Sequence, residues 1–320
     1  MPARNAAFET YLREATGGRS GLPRLLAGVV LVVMSYAIPI ALAVMIAVGS
    51  GWTPVEDIGS RSGIAFTLLS VIWLLPATAL ALRLVHRRRP TGVLGVGGIL
   101  SWRQFGRAFV LTSVVLVACT LAGLMYDPRI GRGPASLAGW AAFAPLFAGL
   151  ILLQTAAEEV FFRGYLVQTL GSRFHSPLLW CGLPAVLFAL LHWNADVSTA
   201  MNVGAMVAIA AFAIAATLLL VKTGNLGAAM GFHFANNMVA LLFFSSSNSF
   251  NAIALFVLPP IESPEWTTAD ALILAAIQIT AILIVTILLI HERSPFRMKP
   301  DAEQAAGRPR PPAASALPDR

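Results

Sequence analysis

Charge is scarce in this sequence. Only 12% of its 320 residues are Asp, Glu, Lys or Arg while 57% are hydrophobic, a balance that excludes an ordinary water-soluble domain and leaves an integral membrane protein. Cysteine is scarcer still. Cys119 and Cys181 lie in apolar runs without CxxC spacing, so no disulfide framework is implied and both are expected to behave as small buried hydrophobes. The HExxH string of zinc proteases is missing, and no internal repeat stands out. The glycines between Thr91 and Gly98 have neither a preceding strand nor a βαβ context, which removes a nucleotide-binding reading and leaves a flexible linker over 91–107. A cleavable signal peptide is not expected, because residues 1–24 are polar, long for a signal's first region, and lead into a full apolar span.

Long apolar runs are what the sequence has instead. A membrane helix needs about 20 largely apolar residues, and such runs fall at 25–48, 63–85, 106–126, 139–162, 177–193, 198–221, 226–245 and 268–290. The expected fold is all-α, a polytopic membrane helix bundle with about eight transmembrane helices. The fifth run is short, and the fourth is expected to continue as helix through Gly164 to Leu170. The stretch 249–260 is too short to cross and is placed at the interface. Residues 1–24 are assigned to a cytoplasmic N-terminal segment, and 25–138 to the N-terminal transmembrane helices and linker. Residues 139–245 form a core with the polar clusters described below, and 246–291 the final transmembrane region. The stretch 292–320, rich in Pro, Ala and charge, is expected to be a disordered cytoplasmic tail.

The net charge of +7 does not describe a nucleic-acid surface, because the basic residues flank apolar runs. With the amino terminus inside, only Arg61, Arg129 and Arg132 of the 22 Lys and Arg fall outside. That is the bias of the positive-inside rule, and it puts both termini in the cytoplasm. The Arg- and Ala-rich composition suggests a bacterial cell membrane.

Three polar clusters interrupt the apolar runs. Glu158 and Glu159 close a stretch, Gly139 to Ala157, without a charged residue. Ionisable groups in such a span are costly and by default mark a functional site. Glu159 and Arg163 are four apart and can pair, whereas Glu158 is turned about 100° away and lacks that partner. One carboxylate is thereby assigned to an ion pair, and the other is left to act, desolvation suiting it to general-base work. Phe188 precedes His192 by four residues and is expected to pack beneath its ring. His233 precedes Asn237 by four, so the two can work side by side. Gly227 and Gly231 form a small-xxx-small pair that admits a close helical neighbour. Counted from the turn near Ser172–Ser176, Glu158 and His192 have similar depth and are expected to meet.

Each cluster alone has an ordinary explanation: a structural ion pair, a packed histidine, an amide bonded across helices. Their occurrence in order in separate spans is what favours chemistry. His86, His175 and His291 sit in loops or at helix ends and are given no role. Asp196 and Asp270 are assigned to helix caps or first turns.

The ordered set EExxxR (Glu158-Glu159 to Arg163), FxxxH (Phe188 to His192) and HxxxN (His233 to Asn237) resembles the CPBP family of intramembrane proteases. That family is also called Abi, or CAAX protease and bacteriocin-processing, and includes the type II CAAX prenyl endopeptidase. The resemblance covers about residues 139–245. It implies hydrolysis, within the membrane, of a peptide bond in a membrane-associated or lipidated peptide or protein. Glu158, helped by His192, would activate a water, and His233 and Asn237 would stabilise the tetrahedral oxyanion, worth about 3–4 kcal/mol elsewhere. Glu159, Arg163 and Phe188 would support them. The family's metalloprotease label would make Glu158, His192 and His233 a three-ligand zinc set with an open fourth position. Without HExxH, and by likeness to the prenyl-endopeptidase branch, a metal-free glutamate mechanism with no cofactor is preferred. The expected partners are the lipid bilayer and a peptide or protein substrate, lipidated or not. A proton-coupled transporter using Glu158, His192 and His233 as a relay is disfavoured by the lack of paired, broken spans. A non-catalytic scaffold or immunity protein of the same fold is disfavoured by the intact motifs.

Overall fold

A computed structural model of the chain describes residues 4–16, 21–53, 59–125 and 127–300. The chain opens with a short amphipathic helix, α1 (Ala6–Thr16). The apolar runs then become helices, because in lipid every backbone N–H and C=O must be satisfied within its own segment. These are α2 (Leu22–Gly49), α3 (Arg61–Ile72), α4 (Leu74–Leu84), α5 (Trp102–Gly123) and α6 (Leu137–Glu159). A π-helical stretch, Val160–Val167, joins α6 to α7 (Gln168–Arg173). There follow α8 (Leu183–Leu190), α9 (Thr199–Thr223), α10 (Gly227–Asn237) and α11 (Thr268–Ile290). Among the described residues six helices are long and apolar enough to cross a membrane: α2, α3 with α4, α5, α6 through α7, α9 and α11. The fifth and seventh runs are the shorter α8 and α10, lengthened by π-helical turns at Leu178–Gly182 and Met238–Phe243. All eight apolar runs are thus helical, and the fourth continues through Gly164 to Leu170 as expected.

α3 and α4 part at Trp73 for a covalent reason. Pro76 lacks the N–H that would bond the Ile72 carbonyl, and the Trp73 indole donates to Ser35 O of α2 at 3.0 Å. Centrality varies sharply among the helices. Half of the most apolar window of α9 is buried against 6% in α2, so α9 is a core helix and α2 faces lipid. The close neighbour admitted by Gly227 and Gly231 is α5: a Cβ on either would stand 2.3 Å from Ser101 O or 2.1 Å from Phe105 O.

One sequence expectation is overturned at the end of the bundle that carries α1. Residues 91–107 are no flexible linker. They form short turns at Pro90–Val93 and Val96–Gly98 and then enter α5. Asn225 fastens them, donating to Ile99 O at 2.7 Å and accepting from the Ser101 and Gly227 amides at 2.9 Å. The polar N-terminal segment contains a docked helix: Phe8, Tyr11, Leu12 and Ala15 of α1 are buried. Tyr11 Oη donates to Val93 O at 2.8 Å, and Gln168 Nε2 donates to Tyr11 O at 3.0 Å. Lys299 lies at the same end, its carbonyl accepting from Gln104 of α5. The tail expected to be disordered lies, from 301 onward, outside the described residues.

The opposite end carries Arg61, Arg129 and Arg132. Here 244–257 pairs with 131–132 in a small sheet of β1 (Gly131–Arg132), β2 (Phe244–Ser245) and β3 (Phe256–Val257), ordered β1-β3-β2. β3 runs antiparallel to β1 and parallel to β2. Trp140 of α6 bonds the carbonyls of Leu242 and Ile253 through its indole. Asp270 forms a capping box with Thr267 at the start of α11, as its position suggested. Asp196 does not cap: Ser198 is the N-cap of α9.

Candidate active site

Glu158 and Glu159 are the last two residues of α6 before the backbone widens to π geometry. Such widenings recur at functional sites because they turn side chains out of ordinary register. Along the helix Glu158 lies about 22 Å from Arg173, well inside the bundle. The two carboxylates have different environments. Glu159 is fully buried and its Oε1 accepts from Arg163 Nη1 at 2.9 Å and from His233 Nδ1 at 2.8 Å. Glu158 keeps 14% side-chain exposure, and its Oε2 stands 3.5 Å from His233 Nε2. That is ion-pair range, not a hydrogen bond, and Oε2 has no hydrogen-bond partner among the described residues. Glu159 Oε2 is likewise without a hydrogen-bond partner among the described residues, but Glu158 alone keeps exposure, which suits its oxygen to a water or a substrate atom.

The histidines are fixed by what holds their Nδ1. A carboxylate can only accept, so His233 Nδ1 carries the proton and Nε2 faces Glu158. His192, in the turn after α8, likewise donates from Nδ1 to Phe188 O at 2.8 Å, leaving Nε2 as the acceptor of a neutral ring. His192 is exposed where His233 is buried. No hydrogen bond or ion pair among the described residues joins His192 to Glu158; the two histidines share a neighbour instead. Phe188 is the common neighbour. Its ring lies 4.8 Å from that of His192, 5.8 Å edge-on from that of His233, and 4.7 Å beneath the Arg163 guanidinium. Arg163, counted from sequence with the cytoplasmic basic residues, is 1% exposed within the bundle.

Asn237 lies on the face of α10 that looks at α6. Its Nδ2 donates to Gln154 Oε1 at 3.1 Å, and its Oδ1 accepts from Asn236 Nδ2 at 3.1 Å.

Three neighbours were not anticipated from sequence. Gln154, buried, precedes Glu158 by one turn, and this i, i+4 spacing from a glutamate was the signal available. Phe212 of α9 packs edge-on against His233 at 5.1 Å; nothing in an apolar helix singles it out. Tyr36 of α2, bonded to Ser70, lies within electrostatic range of Glu158. His86 is buried with Nε2 at 2.9 Å from Tyr165 Oη, away from the cluster around Glu158.

Residues 138–239 match the family model of the type II CAAX prenyl endopeptidase Rce1-like proteins. The Rce1-like stretch coincides with the 139–245 core and contains all three motifs. The chain is also 30% identical over 190 residues to the uncharacterized protein YyaK of Bacillus subtilis, covering 57% of this chain and 62% of that one. The chain therefore spans less than two thirds of that relative. No solved structure matches.

A zinc ion would need Glu158, His192 and His233 to converge. Among the described residues no three His, Cys, Asp or Glu side chains are grouped to hold a metal. His233 Nδ1 is engaged by Glu159 and His192 Nδ1 by a carbonyl, which leaves each Nε2 as the nitrogen that could take a metal. In this structure Glu158, His192 and His233 are not gathered into that three-ligand set.

Proposed function

We propose that this protein is an intramembrane endopeptidase that hydrolyses a peptide bond of a membrane-associated or lipidated peptide, using a glutamate-activated water. The observation that carries this reading is the unequal treatment of two adjacent carboxylates: Glu159 is fully buried and bound through Oε1 to Arg163 and His233, whereas Glu158 keeps some exposure and its Oε2 makes no hydrogen bond to the described residues. Glu158 takes a proton from a water whose oxygen attacks the scissile carbonyl carbon. His192, whose acceptor nitrogen is turned away from Phe188 O, helps to orient that water. The carbonyl becomes a tetrahedral oxyanion, stabilised by the Asn237 amide N–H. Collapse breaks the C–N bond, and Glu158 returns its proton to the leaving nitrogen, so acid and base are one group. Glu159 holds the His233 tautomer. The end carrying α1 and Lys299 faces the cytoplasm of a bacterial cell membrane, in keeping with the placement of Arg61, Arg129 and Arg132 at the other end.

The test is cleavage by purified protein in detergent, with a fluorogenic peptide set that includes lipidated members. Wild type is compared with Glu158→Ala, each with and without a chelator. Cleavage that needs Glu158 and survives chelation is expected. Cleavage by Glu158→Ala at the wild-type rate sinks the assignment, and loss on chelation with recovery on added zinc replaces it by a metalloenzyme.

A further inference from the structure

We infer that Gln154 is a positioning residue that sets the orientation of the Asn237 amide, an inference that rests on the proteolytic reading above. An oxyanion is helped by the N–H₂ end of an amide and opposed by its oxygen. The two ends are nearly equal in size, so neighbours decide which one a side chain presents. Here both neighbours point the same way. Asn236 Nδ2 donates to Asn237 Oδ1 at 3.1 Å, which pins the oxygen. Gln154 Oε1 accepts from Asn237 Nδ2 at 3.1 Å, which pins the nitrogen. Each amide nitrogen has two hydrogens; one is taken by Gln154, and the other is left for a substrate carbonyl oxygen.

The location of Gln154 adds a second function to this contact. It precedes Glu158 by four residues on the same helix, so the two share a face. The proposed base and the group that orients the oxyanion donor therefore ride on one rigid element. Their separation is set by a single helical turn, about 5.4 Å of rise. Gln154 is 7% exposed, and water competes little for its oxygen. Removing that oxygen frees Asn237 to turn its own oxygen toward the reacting centre.

A cross-helix amide can also be mere glue between spans, and a double-mutant cycle separates the two roles. kcat and KM are measured for wild type, Gln154→Met, Asn237→Ala and the double variant on one peptide, with melting temperatures alongside. Gln154→Met is expected to lower kcat about tenfold with KM nearly unchanged. In the Asn237→Ala background the same substitution is expected to cost nothing further. An equal loss in both backgrounds, or a lowered melting temperature with unchanged kcat, overturns the inference. Should Gln154→Met fail to fold, Gln154→Leu enters the same cycle with the same expected loss; a loss that persists beside Asn237→Ala overturns the inference. Wild type that cleaves in a Glu158-dependent way, with a Gln154 effect independent of Asn237, defeats this inference alone. Absence of Glu158-dependent cleavage defeats the proteolytic reading and this inference with it.

Discussion

His233 meets Glu159 through Nδ1 at 2.8 Å and thereby turns Nε2 toward Glu158. The same Glu159 oxygen holds Arg163, and both partners of that pair are almost fully buried. Glu159→Gln leaves a buried guanidinium without its counter-charge, which costs about 3–5 kcal/mol. Denaturation in detergent is expected to register that loss for Glu159→Gln. A Glu159→Gln protein that melts with wild type would remove the ion pair from the account of stability.

Glu158→Gln is expected to do the opposite. Its Oε2 makes no hydrogen bond to the described residues, so stability changes by less than about 1 kcal/mol. Cleavage falls by about 10²–10⁴-fold through loss of the base. Paired measurements of melting and of kcat/KM decide this, and comparable damage to both would make Glu158 structural.

Gly231 and Gly149 offer a matched contrast within the membrane. A Cβ at Gly231 would stand 2.1 Å from the backbone oxygen of Phe105, whereas one at Gly149 meets nothing within 4 Å. Gly231→Ala forces α5 and α10 apart at a cost of about 1–3 kcal/mol, and it shifts His233 two residues later. Gly149→Ala is neutral or stabilising by up to about 1 kcal/mol. Equal melting temperatures for the two variants would refute the close approach of α5.

Outside the spans, burial pushes the Tyr11 phenol above its ordinary value. A raised value in the folded state means that the contribution of Tyr11 is complete below pH about 10 and is lost as pH rises through the folded value. Ultraviolet difference titration of wild type against Tyr11→Phe should show this phenol ionising only well above pH 10, with release of α1. Ionisation at the ordinary tyrosine value would show α1 undocked in solution.

Much of this arrangement was legible in the residues. Apolar length gave the helices, because lipid leaves the backbone no other partner. Spacing separated the two glutamates: Arg163 lies one turn from Glu159 and not from Glu158. Contacts between segments distant in sequence were not legible. Nothing in the sequence says that His233, 74 residues along, closes on Glu159, or that Asn225 ties down the glycine-rich 95–101 stretch. α1 was hidden by its brevity: four buried side chains among charged ones resemble a polar leader until the surface that receives them is known. Gln154 was overlooked because a single amide in an uncharged span carries no charge to draw notice.

The brevity of α8 has a consequence for the bilayer itself. From Leu178 to Leu190 the helical rod measures about 20 Å, against about 30 Å of hydrocarbon. Lipid beside it must dimple, and the exposed Leu190, Leu191 and Trp193 rim would sit at the floor of that dimple with His192. Acyl-chain length then becomes a control on the candidate site: thin bilayers relax the mismatch, and thick ones strain the helix end that holds His192.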